Sequence, residues 1–252
     1  MPAVFRFPHA PEPMQISAPT LIGRFKRRYK RFFADVELED DSILTAHCPN
    51  TGSLRGCLIE DARVILRDSE NPKRKLRYTW QAIELDGTWV NVDTALPNHV
   101  VREAVEQQRI PELSGYETVR PEVAYGDRSR IDLLLTDPNK PDCYIEVKST
   151  TLVDGKTALF PDAVTERGRK HLGELAKMVE AGHRAVQLFL ISRGDVKTFR
   201  PADHIDPAYS ETLREVAGRG VEVLAFTSLV SPEEMTLATE VPVDLSPPRV
   251  ST

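Results

Sequence analysis

Cysteine is scarce in this chain. Its 252 residues include three, Cys48, Cys57 and Cys143, and an odd, sparse set excludes a disulfide framework. Paired Cys/His spacings of the zinc-finger kind are missing too. His47 and Cys48 are adjacent, and neighbouring strand residues point to opposite faces, so they make a poor zinc site. Long apolar runs are also lacking. No stretch approaches the roughly 20 residues that a membrane helix needs, so no membrane partner is expected. Residues 1–15 lack the apolar core of a signal peptide, and a cytoplasmic protein is the expectation. No repeat or low-complexity segment interrupts the chain. What remains is ordinary globular usage, 40% hydrophobic and 28% charged, too apolar for intrinsic disorder. At roughly 100–200 residues per domain, the length allows one large domain or two small ones.

There is no overall excess of positive charge either, since the formal net charge is −5. Its distribution is uneven. Residues 1–85 carry 14 Lys and Arg against 11 Asp and Glu, whereas residues 86–252 carry 19 against 27. Arg24, Lys26, Arg27, Arg28, Lys30 and Arg31 put six cations into eight positions. Two readings stay open for this run. It is one solvated strand face and turn, or it is a phosphate-tracking surface with Phe25, Tyr29, Phe32 and Phe33 available for stacking or packing. Lys73, Arg74 and Lys75 form a second basic loop.

Residues 1–93 read as β-rich. Strand-like stretches fall within 20–38, at Ile43–Cys48, Ala62–Leu66, Leu76–Leu85 and Trp89–Val92. Pro49 to Gly52 is a turn signal, and Asp86-Gly87 is a hairpin signal. About five short strands with at most one helix suggest a small OB-like β-barrel. From 94 to 240 the pattern changes. A helix is predicted over His99–Gln108, ended by Pro111. Strands follow at Val119–Ala124, Arg130–Leu135 and Cys143–Lys148. A long helix is predicted from Asp162 to Glu180 with an apolar stripe of Val164, Leu172, Leu175 and Val179. A buried strand at Ala185–Ser192, a helix from Asp206-Pro207 to about Gly220 and a strand at Val221–Phe226 complete the order. Strands separated by helices pair in parallel, so this part is an α/β domain with both sheet faces covered. Residues 241–252, with Pro242, Pro247 and Pro248, read as a flexible tail.

The candidate chemistry lies on two consecutive strands. Arg130-Ile-Asp132 is followed by Glu146-Val-Lys148. Glu146 and Lys148 are two apart and share a face, while Ile145 and Val147 point the other way. Charged groups on otherwise apolar strands are costly unless paired or bound to metal. Two carboxylates beside an ammonium suit Mg2+ or Mn2+, with Lys148 orienting or helping to deprotonate a water. A charged strand end in solvent is the plain alternative. Glu122, one strand earlier, is a further candidate metal ligand or a partner for Arg130 or Lys148. Glu103 is a candidate from the preceding helix, or a solvated helix face. Arg167, Lys170, His171 and Glu174 share a face of the long helix. Arg167 and Lys170 would contact phosphates there, and His171 reads as a network histidine more than a general base.

A helix, three strands, a helix and a strand carrying Asp132 and Glu146-x-Lys148 resemble the PD-(D/E)xK nuclease superfamily, the restriction-endonuclease-like fold. Ile131 precedes Asp132 where proline is common. Longer peptides carry a second resemblance: Gly23-Arg-Phe-Lys-Arg, Ala46-His-Cys-Pro-Asn-Thr-Gly-Ser53, Asn71-Pro-Lys-Arg-Lys-Leu76, Ser129-Arg-Ile-Asp132, Glu146-Val-Lys-Ser149 and Phe160-Pro-Asp-Ala-Val-Thr-Glu-Arg-Gly168. In that order, from about residue 20 to 228, they resemble the sugar fermentation stimulation protein A family. The resemblance implies an OB-like domain followed by a nuclease-like one. It also implies DNA binding without marked sequence preference and a regulatory role in sugar (maltose) metabolism. Arg24, Lys26, Arg27, Arg28, Lys73, Arg74 and Lys75 would then make phosphate contacts. A Mg2+- or Mn2+-dependent DNA nuclease is the alternative function. RNA is a weaker candidate partner, and the oligomeric state is left open. Arg169 departs from the family pattern, which implies glutamine there, a residue that helps to organise the site in related nucleases.

Overall fold

A computed structural model describes residues 19–126 and 129–248. The stretch 1–15 read for a signal peptide, and residues 249–252 of the expected tail, lie outside the described residues. Six strands make the N-terminal unit: β1 (Thr20–Tyr29), β2 (Phe33–Glu37), β3 (Ile43–His47), β4 (Arg63–Asp68), β5 (Tyr78–Leu85) and β6 (Thr88–Asn91). Their order is β3-β2-β1-β4-β5-β6, and β3 also meets β5 at His47 and Thr79. The first five strands therefore form a ring in the order of an OB fold. Alternate residues fill it. Phe25, Val36, Ala46, Val64, Leu66, Trp80 and Ile83 are all buried, and Phe25 stacks on Trp80 with centroids 4.9 Å apart. The basic run is thus not a single solvated face, because Phe25 turns inward between Arg24 and Lys26. Asp86 and Gly87 both have positive φ (50° and 76°), as the predicted two-residue hairpin turn requires.

The second unit begins with α1 (Leu96–Glu106). It continues through β7 (Thr118–Tyr125), β8 (Ser129–Asp137), β9 (Lys140–Thr150), β10 (Val153–Asp154), β11 (Thr157–Phe160), α2 (Glu166–Glu180), β12 (Arg184–Ile191), β13 (Thr198–Pro201), α3 (Pro207–Gly218), β14 (Glu222–Val230) and β15 (Met235–Glu240). The main sheet has the order β15-β14-β12-β9-β8-β7. As expected, β9, β12 and β14, joined through α2 and α3, are parallel neighbours. One face packs on α1 through Val100, Val101, Ala104 and Val105. The other packs on α2 and α3 through Leu172, Leu175, Tyr209 and Leu213. No helix among the described residues is long and apolar enough to cross a membrane.

Three expectations change. The helix predicted from Asp162 starts at Glu166, because Thr165 caps it, accepting a hydrogen bond from the Gly168 N–H (3.0 Å). Val164 lies before the helix and is 68% exposed, so it is not part of the apolar stripe. Residues 241–248 are not a loose tail. Val243 pairs with Phe199, the Asp244 N–H donates to the Phe199 carbonyl, and Val241 is buried with Val243 and Leu245 packed on the same core. Prolines that block a helix are compatible with this extended, docked path. The small sheet β10-β11-β13, against which this segment runs, and the edge strand β15 were not expected. They are short or lie on an edge, and they lack a distinctive pattern.

The two units touch. The Asn91 N–H donates to the Ser192 carbonyl (2.9 Å). Ser53 Oγ donates to Asp162 Oδ2 (2.6 Å), and Thr94 Oγ1 donates to the Pro49 carbonyl (3.3 Å).

At Gly23, an added Cβ would lie 2.5 Å from Val36 Cγ1 and 2.7 Å from the Glu37 carbonyl oxygen. Backbone cannot yield there as a side chain could. Gly23→Ala is therefore expected to lower stability by about 1–3 kcal/mol, read as a lower urea midpoint with unchanged slope.

Candidate active site between β8, β9 and α2

Strand pairing creates the site. β8 and β9 are antiparallel, with Leu133 opposite Ile145, so Asp132 and Glu146 lie side by side at the next step. The Val147 N–H donates to Asp132 Oδ2 (2.7 Å), and the Asn98 side-chain amide donates to Asp132 Oδ1 (2.8 Å). Glu146 is 2% exposed. Its Oε1 accepts from Lys148 Nζ (2.5 Å) and from His171 Nδ1 on α2. Arg167 Nε donates to His171 Nε2 (3.3 Å), which leaves the ring proton on Nδ1, facing Glu146. The second Glu146 oxygen, Oε2, is buried and has no partner among the described residues.

These groups, Asn98 apart, line a cleft of about 550 Å3, together with Glu122, Ser129, Arg130 and Lys170. Burial, and then the nearby charge of Glu146, push the Asp132 carboxyl up to about 6; Val147, Lys148 and Asn98 pull the other way. Burial would also raise Glu146, but its hydrogen bonds to His171 and Lys148 outweigh it and hold the carboxyl below its ordinary range. The site is thus a pair of repelling carboxylates with one unshared, buried oxygen. Oxygen donors of this kind fit a hard divalent cation, which takes one or two carboxylates and keeps several waters. Asp132 and Glu146 would hold it.

A family model described as the SfsA N-terminal OB domain matches residues 27–92, and one described as the sugar fermentation stimulation protein RE domain matches residues 95–234. A sugar fermentation stimulation protein homolog of Geobacter sulfurreducens is 51% identical over 230 residues, covering 91% of this chain and 98% of the relative. That of Pelobacter propionicus is 53% identical over 227 residues, covering 90% and 98%. The solved structure of Pyrococcus furiosus SfsA in complex with Ca2+ superposes with a TM-score of 0.82 at 30% identity, covering 92% of this chain and 98% of that one.

The chain belongs to the sugar fermentation stimulation protein (SfsA) family. The expected pairing of an OB domain with a restriction-endonuclease-like domain holds for this SfsA member. Its other sequence candidates are placed less uniformly. Glu122 lines the cleft but does not complete a metal cluster. It sits exposed in β7 with φ 54°, and it is its carbonyl that accepts from Arg130 (2.9 Å). Among the described residues no group of three His, Cys, Asp or Glu comes together to hold a metal, His47-Cys48 included. Glu103 accepts from Gln107 at the C-terminal end of its own helix (2.7 Å). Arg167 and Lys170 do reach the cleft. Arg169 instead faces Asp206, 3.8 Å away, and is not part of the cleft wall.

The basic run is largely occupied by the barrel itself. Arg24 donates to the Asp61 carbonyl (3.1 Å), Lys26 pairs with Asp61 (2.7 Å) and Glu37 (2.9 Å), and Arg27 pairs with Asp35 (2.8 Å). Arg28 clamps the turn at 50–52, donating to the carbonyls of Asn50 (2.6 Å) and Gly52 (2.9 Å). Lys73, Arg74 and Lys75 remain exposed, with Arg74 touching Thr79 Oγ1 at 3.5 Å. The residue that sequence reasoning missed is Asn98. Pro97-Asn98 signalled only a helix start, and nothing local indicates that the amide reaches a strand 34 positions away.

Asp132 titrates near 3.8 ordinarily and about 6 here. A raised carboxyl pKa favours the folded state while the group is protonated, so this contribution is full below about pH 4 and is lost as pH rises through 6. Without divalent metal, Asp132→Asn should be about 3 kcal/mol more stable than the native chain at pH 8, at about 1.4 kcal/mol per pKa unit, and no more stable at pH 4. Urea unfolding in chelator at both pH values checks this, and an equal effect at both would contradict it.

Proposed function

We propose that this chain binds DNA and hydrolyses its phosphodiester bonds with a divalent cation held by Asp132 and Glu146. The observation that carries the reading is the convergence of both carboxylates and Lys148 on one cleft, with Glu146 Oε2 buried and unpartnered among the described residues. The Ca2+ in the Pyrococcus furiosus relative supports a divalent site, and Mg2+ or Mn2+ is proposed for turnover. Such a cation, when bound, would offset the two negative charges and stabilise charge growing on a phosphate.

The remaining roles belong to this chain's side chains. Lys148, held by Glu146, presents an ammonium that can orient a water at the cleft. His171 fixes the Glu146 carboxylate from α2 and is itself fixed by Arg167. Arg167 and Lys170 supply positive charge on the wall where a phosphate would approach, and the exposed loop of Lys73, Arg74 and Lys75 adds to the field around the barrel. Contacts of this kind set affinity and carry little sequence information, so binding without marked preference follows. A regulatory role in sugar metabolism would act through such binding. RNA competes as a partner only if matched strands bind equally well.

A second reading, a DNA-binding module without hydrolysis, has one observation in its favour: the Lys148 amine is engaged by Glu146 and lies 3.4 Å from His171 Nδ1. Labelled DNA incubated with Mg2+ or Mn2+ separates the two. Cleavage by the native chain, reduced at least about 100-fold in Asp132→Ala and Lys148→Ala, supports the enzyme. DNA binding with no cleavage, unaltered by Lys148→Ala, supports the module.

Both readings require binding to fall steeply with salt. For about four phosphate contacts, log affinity should fall with log salt at a slope near −3 to −4. A flat salt dependence in a titration followed by fluorescence anisotropy would contradict both.

A further inference from the structure

A second cleft, of about 490 Å3, adjoins the first and shares Val147, Lys148 and Arg167 with it. Its walls come from both units. The barrel contributes Asn50 and Thr51 from the turn clamped by Arg28, and the nuclease-like unit contributes Asn98 and the end of β9, residues 148–150. Ser53 and Asp162 tie the two walls together (2.6 Å). The lining mixes hydroxyls and amides with an apolar part from Pro97, Leu152, Leu159 and Phe160; among the described residues Asp162 is its one acid, and Lys148 and Arg167 at the junction are its cations. Thr150 is 1% exposed and lines this groove, and its Oγ1 has no partner among the described residues. A buried hydroxyl left unpaired is costly and marks a place where a ligand atom could complete the hydrogen bond.

Neutral polar groups match the edges of a base and the oxygens of a sugar, whereas a phosphate needs the cations at the junction. The volume lies among pockets of roughly 300–1,000 Å3 that enclose a small ligand. A base still paired within a duplex is held in the stack and must unpair before it can enter such a hollow. We propose that this groove receives one unpaired nucleoside next to the phosphate at Asp132 and Glu146, so that the chain prefers single-stranded DNA to duplex. The inference rests on the reading of the carboxylate cleft given above and adds its substrate class.

The test is the affinity for a short labelled single strand and for the same sequence as a blunt duplex, both with Ca2+ and followed by anisotropy. Two variants probe the groove. Thr51 is exposed, so Thr51→Trp fills the groove from its surface. Thr150→Val removes a hydroxyl that holds nothing in the fold, a change close to neutral for folding. The native chain should bind the single strand at least about fivefold more tightly than the duplex. Thr51→Trp should weaken single-strand binding about tenfold and Thr150→Val about threefold, at about 1.4 kcal/mol per tenfold, with duplex binding nearly unchanged. Native-like single-strand affinity in both variants, with native circular dichroism, would overturn the groove, as would a native preference for duplex. If Asp132→Ala loses binding while both groove variants keep it, only the groove assignment fails. If the native chain binds neither DNA, the reading beneath it fails as well.

Discussion

The burial of Glu146 is the constraint around which the second unit is arranged. A carboxylate with almost no solvent contact is tolerated only when its charge is answered nearby. Lys148 answers from two residues along the same strand, and His171 answers from α2, so the helix must sit at one height over the sheet. Arg167 then orients the imidazole from one turn earlier. These partners share one oxygen and leave the other unused, and the strand alongside brings a second acid to the same place. The arrangement costs stability on its own terms. Structures keep such arrangements where charge is to be handled, which is why the cleft reads as chemical rather than architectural.

Much of this was legible in the residues. The alternation of Glu146 and Lys148 with Ile145 and Val147 is a two-residue period, and it placed both charged groups on one side. Adjacent strands then brought Asp132 alongside, because their connection is short. Parallel pairing of β9, β12 and β14 followed from the helices between them. Local signals failed where a distant partner decides. Asn98 becomes part of the site only through its reach to another strand. Asp162 looked like a helix start, but the cap is Thr165, three positions on, whose N–H is held by the distant Asp206 Oδ2 (2.8 Å). The docked path of residues 241–248 depends on Phe199, which no neighbouring residue foretells.

The basic run shows the same limit in another form. Six cations in eight positions suggested an open polyanion surface, but the acids that answer them, Asp35, Glu37 and Asp61, are scattered through neighbouring segments. Charge density along a chain says little about charge density in space. Arg28 is the clearest case. Its guanidinium shapes the turn that forms a wall between the two units, so its removal would disturb that junction as well as the electrostatics. The cations that line the carboxylate cleft, Arg130, Lys148, Arg167 and Lys170, come from the part of the chain whose net charge is negative.

β9 carries a longer-range implication. Glu146, Lys148 and Thr150 are spaced by twos on an extended strand, so each successive side chain on that face advances about 6.6 Å. One strand therefore acts as a ruler that sets the carboxylate, the amine and the hydroxyl in fixed sequence across two neighbouring hollows. Gain or loss of a single residue between them would send everything downstream to the opposite face.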